Sequence, residues 1–213
     1  MSRLGGAAIA VATVLVILAI AIVPFLAPPW LSFAQDRADA ATWTGWPEAD
    51  VRAATDAIVG DLVFGGDFDG TLDGRSILEE RERSHMRDVR DVFRGFYLLA
   101  AAALVGLAIV ISRHGAADGG PWRPVRAGGL ALAGALVVGG LVVAFAFDAA
   151  FSLFHGLFFA AGSWTFDPST DRLVQLFPEQ FWIETTVAVG VVAFTAGLLV
   201  ARFASRRIAE RGA

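Results

Sequence analysis

Few side chains in this chain are of types that ordinarily change charge near neutral pH. It contains three histidines and no cysteine, and all 17 of its basic residues are arginine. A thiolate nucleophile, a cysteine-ligated metal and a lysine Schiff base are therefore excluded. Histidine changes its charge near neutral pH, so it can accept and return a proton during catalysis. The candidates for acid–base chemistry are thus His85, His114 and His155.

Two of these histidines occupy matching positions beside long apolar runs. His85 lies about seven residues before the run 92–112, and His155 lies about eight residues after the run 127–147. Consecutive membrane helices form a hairpin, so both histidines are predicted to lie on one side of the bilayer at similar depth. His114 lies next to an arginine in the short connection and is predicted to be solvated. We therefore predict His85 and His155 as the catalytic pair.

Charged and aromatic side chains accompany the pair at helical spacing. A carboxylate can orient an imidazole, an arginine can stabilise an oxyanion, and phenyl rings can line an acyl groove, although simple aromatic packing is the alternative for the rings. The candidates are Asp88 and Asp148 as acids, Arg83 and Arg87 as cations, and Phe151, Phe154, Phe158 and Phe159 as groove-lining rings. A metal site of two histidines and an acid is possible, but the spacing does not resemble HExxH, so no metal is predicted.

The elements that must position these residues are membrane helices. Apolar residues make up 56% of the chain and charged residues 18%, which is more apolar than a soluble domain. Four runs are long enough to cross a bilayer: 4–27, 92–112, 127–147 and 183–203. We predict an all-α polytopic membrane protein, with 1–213 as a single integral membrane domain. A large soluble helical bundle is the disfavoured alternative.

The arginines predict the orientation in the membrane. Cytoplasmic loops carry an excess of basic residues. The arginines near the two termini and in the short connection are Arg3, Arg113, Arg123, Arg126, Arg202, Arg206, Arg207 and Arg211. Both termini and the connection 113–126 are therefore predicted to be cytoplasmic, with the histidine pair on the outer face. The first apolar run exceeds the h-region of a signal peptide, so it is predicted to remain as a membrane helix.

The two outer segments, 28–91 and 148–182, are predicted to form a small extracytoplasmic helical cap. Helical spacing of apolar residues after Pro47 indicates a helix, which we predict to lie on the membrane surface with tryptophan anchors.

The stretch Asp67–Asp73 resembles a haloacid-dehalogenase phosphatase signature, but too little chain surrounds it for that domain. A Gly/Asp-rich turn is the favoured interpretation. Calcium binding is disfavoured, because the acidic residues do not have the spacing of an EF-hand loop. Five glycines in the run 127–147 predict close helix packing.

Several of these motifs together resemble one family of bacterial membrane proteins. The chain has four apolar runs in this order, together with the stretches Ser84–Val89, Phe154–Phe159, Trp164, Asp167–Pro168, Asp171 and Leu176–Glu179. This combination resembles the lipoprotein intramolecular transacylase (Lit) family. The resemblance covers the architecture of the whole chain, with its motifs confined to about 79–182.

The resemblance implies a specific acyl transfer. The sn-2 acyl chain of a diacylglyceryl lipoprotein would move to the α-amino group of its N-terminal cysteine, giving an N-acyl lyso-form lipoprotein. The family's motif histidines would correspond to His85 and His155. Converting an ester to an amide is downhill, so no nucleotide or cofactor is expected. The implied partners are diacylglyceryl-modified lipoproteins and membrane lipid.

Two other functions remain open from the residues alone. The chain could be a non-catalytic membrane scaffold whose histidines only form an interfacial hydrogen-bond network, or a metal-dependent membrane hydrolase. Nucleic-acid binding is disfavoured, because the formal net charge is −4.

Overall fold

The computed structural model describes residues 2–114 and 120–210. Arg211, which entered the orientation argument, lies outside these residues. The described helices are α1 (Arg3–Ile22), α2 (Pro28–Arg37), α3 (Ala40–Thr44), α4 (Glu48–Phe64), α5 (Glu80–His114), α6 (Trp122–Phe158), α7 (Arg172–Leu176) and α8 (Glu179–Ala209). A short 3-10 turn, Val23–Leu26, follows α1. Strands β1 (Thr71–Leu72) and β2 (Arg75–Ser76) form one antiparallel hairpin.

Four helical segments are long and apolar enough to cross a membrane. They are Arg3–Leu26, Glu80–His114, Trp122–Phe158 and Glu179–Ala209. The last three contain the predicted apolar runs, and the first matches its run to within one residue. Helix α5 continues without a break from its charged start into its apolar part, and α8 begins directly after Pro178. The predicted all-α membrane class is confirmed.

The chain divides into two compact units. One consists of the described parts of Met1–Val23, Gly95–Ala144 and Val187–Ala213, which carry most of the apolar stretches. The other consists of Pro24–Arg94 and Phe145–Thr186, and it contains both candidate histidines. The four helices of membrane-spanning length account for nearly all of the first unit.

Close helix approach in the first unit depends on two of the predicted glycines. A Cβ on Gly128 would lie 2.5 Å from the carbonyl oxygen of Ala10, and a Cβ on Gly129 would lie 2.5 Å from that of Gly197. These backbones can approach only because no side chain stands between them. Nothing lies within 4 Å of a Cβ added at the other three glycines of the run, so close packing was wrongly predicted there.

The second unit has a continuous apolar core of its own. Helix α4 buries Val51, Ala54, Ile58 and Leu62 at helical spacing, together with apolar side chains of α2, α5 and α7. The prediction that this helix lies on the membrane surface is therefore wrong, because its apolar face is covered by protein. Periodicity identified the helix and its apolar face, but it could not distinguish lipid from protein as the partner of that face.

The Gly/Asp-rich stretch leads into β1 and ends in the tight turn that joins β1 to β2. Asp73 and Gly74 both have positive φ, of 50° and 74°, which is the backbone of a type I′ turn. Asp61 accepts a hydrogen bond from the backbone N–H of Phe68 and holds the preceding loop. The favoured interpretation of this stretch as a turn is confirmed.

Helix α6 contains one break in its backbone. Ala146 has φ −150° and ψ 49°, so two helical segments meet at a kink there. The segment after the kink carries Asp148, Phe151 and His155 at helical spacing. The kink therefore sets the direction in which this second segment presents its side chains.

Candidate functional site

Helix α5 places His85 in a buried position near its N-terminus. The imidazole is only 6% exposed, and Met86 beside it belongs to the apolar core of the second unit. The arginines at positions 83 and 87 point away, because residues two apart lie on different faces of a helix. A polar ring that is buried this deeply is expected to have a hydrogen-bond partner or a functional reason for lacking one.

His155 is oriented by its own helix. Its Nδ1 lies 2.8 Å from the carbonyl oxygen of Phe151, one turn earlier in α6. Because a carbonyl oxygen can only accept, Nδ1 carries the proton in this hydrogen bond. In the neutral ring, Nε2 then has the free lone pair and can act as a base.

The structure brings the two histidines together within the second unit. Their ring centroids are 6.1 Å apart and the ring planes differ by 28°. Phe159 lies beside both rings, with centroids 4.9 Å from His85 and 5.5 Å from His155. Phe166 and Trp164 extend this enclosure, at 5.4 Å from His85 and 5.0 Å from His155 respectively. The pair thus lies in an aromatic enclosure rather than in a charged network.

Two polar atoms in this enclosure have no hydrogen-bond partner among the described residues. They are Nδ1 of His85 and Nε1 of Trp164, and both are shielded from solvent. An unpaired buried polar group is costly and is rare in folded proteins. Both of these atoms lie beside the histidine pair.

A buried acid, Glu82, fixes the start of α5. It is fully buried, and its carboxylate accepts hydrogen bonds from the backbone N–H groups of Glu79 at 2.7 Å and Leu173 at 2.6 Å. The first bond closes the N-terminus of α5, and the second joins α5 to α7. Sequence reasoning missed Glu82, because it lies in a run of alternating charges that is typical of a solvated helix face. Its place three residues into the helix was the available signal.

Arg81 holds the segment that carries Trp164. Its guanidinium donates to the backbone oxygen of Thr165 at 2.7 Å and to Asp171 at 2.6 Å, and it lies 4.8 Å from the ring centre of Phe166. The loop between α6 and α7 is therefore attached to α5 one turn before His85. The sequence analysis did not assign this function to Arg81.

The four charged residues predicted to support the histidines lie elsewhere. Asp88 and Asp148 are exposed, and within the described residues neither forms a hydrogen bond to an imidazole. Arg83 and Arg87 both pair with Glu80, with 2.6 Å between Nη2 of Arg87 and the carboxylate. A backbone carbonyl, rather than a carboxylate, orients His155.

The predicted groove-lining rings fall into two pairs. Phe151 and Phe159 pack on His155, with centroids 3.9 Å and 5.5 Å away, and Phe154 also borders this ring, at 5.4 Å. Phe154 and Phe158 contact each other at 5.0 Å and are each about half exposed. The first pair encloses the site, and the second presents an apolar surface next to it.

The described residues contain no group of three or more His, Cys, Asp or Glu side chains that could hold a metal ion. The two histidines therefore have no acidic third ligand among these residues. The metal-dependent hydrolase gains no support from this arrangement.

Four apolar helices define a polytopic membrane protein, and its second unit holds a pair of neighbouring histidines. The family model of the lipoprotein intramolecular transacylase Lit matches residues 6–182. The chain therefore belongs to the Lit family, a family of membrane enzymes, and the assignment made from the residues is confirmed.

Relatives and solved structures agree with this membership. An uncharacterized protein of Aquifex aeolicus is 29% identical over 131 residues, which are 60% of this chain and 56% of that protein. The chain thus covers little more than half the length of this relative. The membrane-integral lipoprotein intramolecular transacylase Lit of Bacillus cereus has the same fold, with a TM-score of 0.81 and 19% identity over 98% of this chain and 96% of that chain.

Another structure of the Bacillus cereus protein carries a histidine-to-arginine substitution. It matches with a TM-score of 0.75 and 18% identity, over 98% of this chain and 92% of that chain. The confirmed fold class is thus shared along nearly the entire chain.

Proposed function

We propose that this chain is a lipoprotein intramolecular transacylase that uses His85 and His155 for acid–base catalysis. The reaction moves the sn-2 acyl chain of a diacylglyceryl lipoprotein to the α-amino group of its N-terminal cysteine. The product is an N-acyl lyso-form lipoprotein. The observation that carries the proposal is the enclosed histidine pair, with its ring centroids 6.1 Å apart, in a chain of the Lit family.

His155 is the general base in this mechanism. Its Nδ1–H is held by the carbonyl oxygen of Phe151, so Nε2 is the nitrogen that accepts a proton. The α-amino group of a cysteine must lose a proton before its nitrogen can attack the ester carbonyl. That ammonium proton passes to solvent, and His155 takes a second proton, from the attacking nitrogen, as the carbon–nitrogen bond forms. It returns the proton to the glyceryl oxygen as the carbon–oxygen bond breaks, so protons balance over the cycle.

His85 holds the reacting group through a ring nitrogen. Its Nδ1 has no partner among the described residues, so a polar group of the substrate can bind there without displacing a protein contact. The aromatic rings around the pair exclude water, which would otherwise hydrolyse the ester instead of allowing the amine to attack it. Because no external nucleophile is needed, acyl shift is favoured over hydrolysis.

The acyl chain is proposed to lie against Phe154 and Phe158. These rings are about half exposed next to the histidine pair, so they can contact a lipid chain. Phe151 and Phe159 form the inner part of the groove. Their packing against His155 would place the ester end of the chain beside the base.

The proposed orientation puts both termini in the cytoplasm and the histidine pair on the outer face. Arginines near the ends of the apolar runs support it, and diacylglyceryl lipoproteins are membrane-anchored substrates. Asp88, Asp148, Arg83 and Arg87 would act at longer range, because they do not contact the imidazoles. Because Arg83 and Arg87 both pair with Glu80, neither guanidinium is free to contact an oxyanion directly.

The test is expression in a host that makes diacylated lipoproteins, followed by mass spectrometry of lipoprotein N-termini. Wild-type protein is expected to convert free α-amines to N-acyl groups with a free sn-2 hydroxyl. His155→Ala and His85→Ala should each reduce the rate by about 100-fold or more, as expected for loss of an acid–base residue.

His114→Ala is the matched control, since His114 lies at the exposed end of α5. It should retain the full rate. Unchanged lipoprotein N-termini with well-folded wild-type protein would refute the proposal and favour a non-catalytic scaffold.

A further inference from the structure

The indole of Trp164 has a hydrogen-bond donor that no group in the described residues accepts. Its Nε1 is shielded from solvent, and its ring lies 5.0 Å from that of His155 and 6.4 Å from that of Phe151. An indole N–H can only donate. An acceptor oxygen of a substrate placed beside the histidine pair would complete this hydrogen bond.

The three arginines that flank His85 on α5 are already engaged. Arg81 donates to Thr165 and to Asp171, and Arg83 and Arg87 pair with Glu80. These contacts would have to break before a guanidinium could bind a developing negative charge. Trp164 needs no such rearrangement, which makes it a preorganised donor.

The loop that carries Trp164 is held by two hydrogen bonds just after this residue. Arg81 binds the carbonyl of the next residue, Thr165. The backbone N–H of Asp167 donates to the carboxylate of Asp171 at 2.7 Å. A donor on an anchored loop keeps its direction during the reaction, which is the requirement for stabilising a charge that exists only in the transition state.

We propose that the Trp164 N–H stabilises the oxyanion of the tetrahedral intermediate, a proposal that rests on the acyl-shift function given above. As the amine nitrogen attacks, the ester carbonyl oxygen becomes negatively charged and accepts the indole hydrogen bond. His155 holds the proton from the amine at this stage. The carbonyl re-forms when the bond to the glyceryl oxygen breaks, and that oxygen takes the proton from His155.

The experiment compares variants that remove the N–H with and without changing the ring. Trp164→Phe removes the donor and part of the ring. Incorporation of 3-benzothienylalanine at position 164 replaces the N–H by sulfur and keeps the two-ring shape. Trp122→Phe is the matched control, because Trp122 also has a shielded Nε1 without a partner among the described residues but packs beside Phe203 in the other unit.

Rates are measured with a synthetic diacylglyceryl-cysteine peptide in detergent micelles, with kcat and KM determined separately. Both changes at Trp164 should lower kcat by about 100-fold or more with little change in KM, the effect of losing one oxyanion donor. Trp122→Phe should leave both constants unchanged. Full activity of the benzothienyl variant would overturn the proposal, and so would an effect on KM alone.

A binding measurement separates this proposal from failure of the acyl-shift function. The indole ¹⁵N–¹H signal of Trp164, assigned by its loss in Trp164→Phe, is followed as a phosphonate analogue of the tetrahedral intermediate is added. The proposal predicts a downfield shift of this signal, with the Trp122 signal unmoved. An unmoved Trp164 signal with bound analogue refutes the donor function even if wild-type protein is active. A shifted signal without acyl transfer refutes the proposed reaction instead.

Discussion

Replacing Glu82 should lower the stability of the unit that holds the histidines. Its carboxylate accepts from the N–H groups of Glu79 and Leu173, at 2.7 Å and 2.6 Å, in a fully buried position. Glu82→Gln keeps one accepting oxygen and places an NH₂ donor against the other N–H. One charge-assisted hydrogen bond is lost, at a cost of about 2 kcal/mol.

The assay is thermal unfolding in detergent, followed by tryptophan fluorescence. A loss of about 2 kcal/mol corresponds to about 4–8 °C in the unfolding midpoint for a chain of this size. Glu82→Ala removes both bonds and leaves two buried N–H groups, so its loss should be about twice as large. Acyl-shift activity should fall in parallel, because Glu82 lies one turn before His85 on α5.

Glu80→Gln is the matched control, since Glu80 is exposed and lies two residues away on the same helix. Its ion pairs with arginines are solvated and contribute little to stability. Its midpoint should equal that of the wild type. An unchanged midpoint for Glu82→Gln, or an equal decrease for Glu80→Gln, would refute the assignment of Glu82 as the buried acceptor that joins α5 to α7.

Two further predictions concern helix packing and the anchored loop. Gly129→Ala should lower the unfolding midpoint, because its Cβ would lie 2.5 Å from the backbone oxygen of Gly197, and overpacking costs about 1–3 kcal/mol. Gly139→Ala, where nothing lies within 4 Å, should leave the midpoint unchanged or raise it, and equal effects of the two would contradict the packing argument. Arg81→Met should speed amide hydrogen exchange in residues 164–171 while the midpoint stays near that of wild type, and unchanged exchange there would show that another contact anchors the loop.

The membrane class and the number of helices of membrane-spanning length could be predicted from the sequence. The length and apolarity of a run are local properties, and a run of about 20 apolar residues is stable across a bilayer only as a helix. The proximity of His85 and His155 also followed from topology, because consecutive runs form a hairpin. The family was identified from motifs within about 79–182 and confirmed over residues 6–182.

Contacts around the histidines could not be predicted in this way. Helical spacing indicated which residues share a face, but it did not reveal which face would be buried. Asp88 was expected beside His85 and is exposed, whereas Glu82 in the same charged run is buried. The difference depends on α7, whose Leu173 lies 91 residues further along the chain and donates to Glu82.

The sequence by itself determined what chemistry was available. Without cysteine or lysine, histidine was the natural candidate for a proton carrier, and the apolar runs predicted membrane helices on either side of the two candidate histidines. Tertiary structure decided how that chemistry is arranged. It oriented His155 with a backbone carbonyl, engaged the arginines with Glu80, and placed the indole of Trp164 beside the pair. These outcomes depend on packing between elements distant in the chain, where side chains compete for the same partners, and no local pattern records that competition.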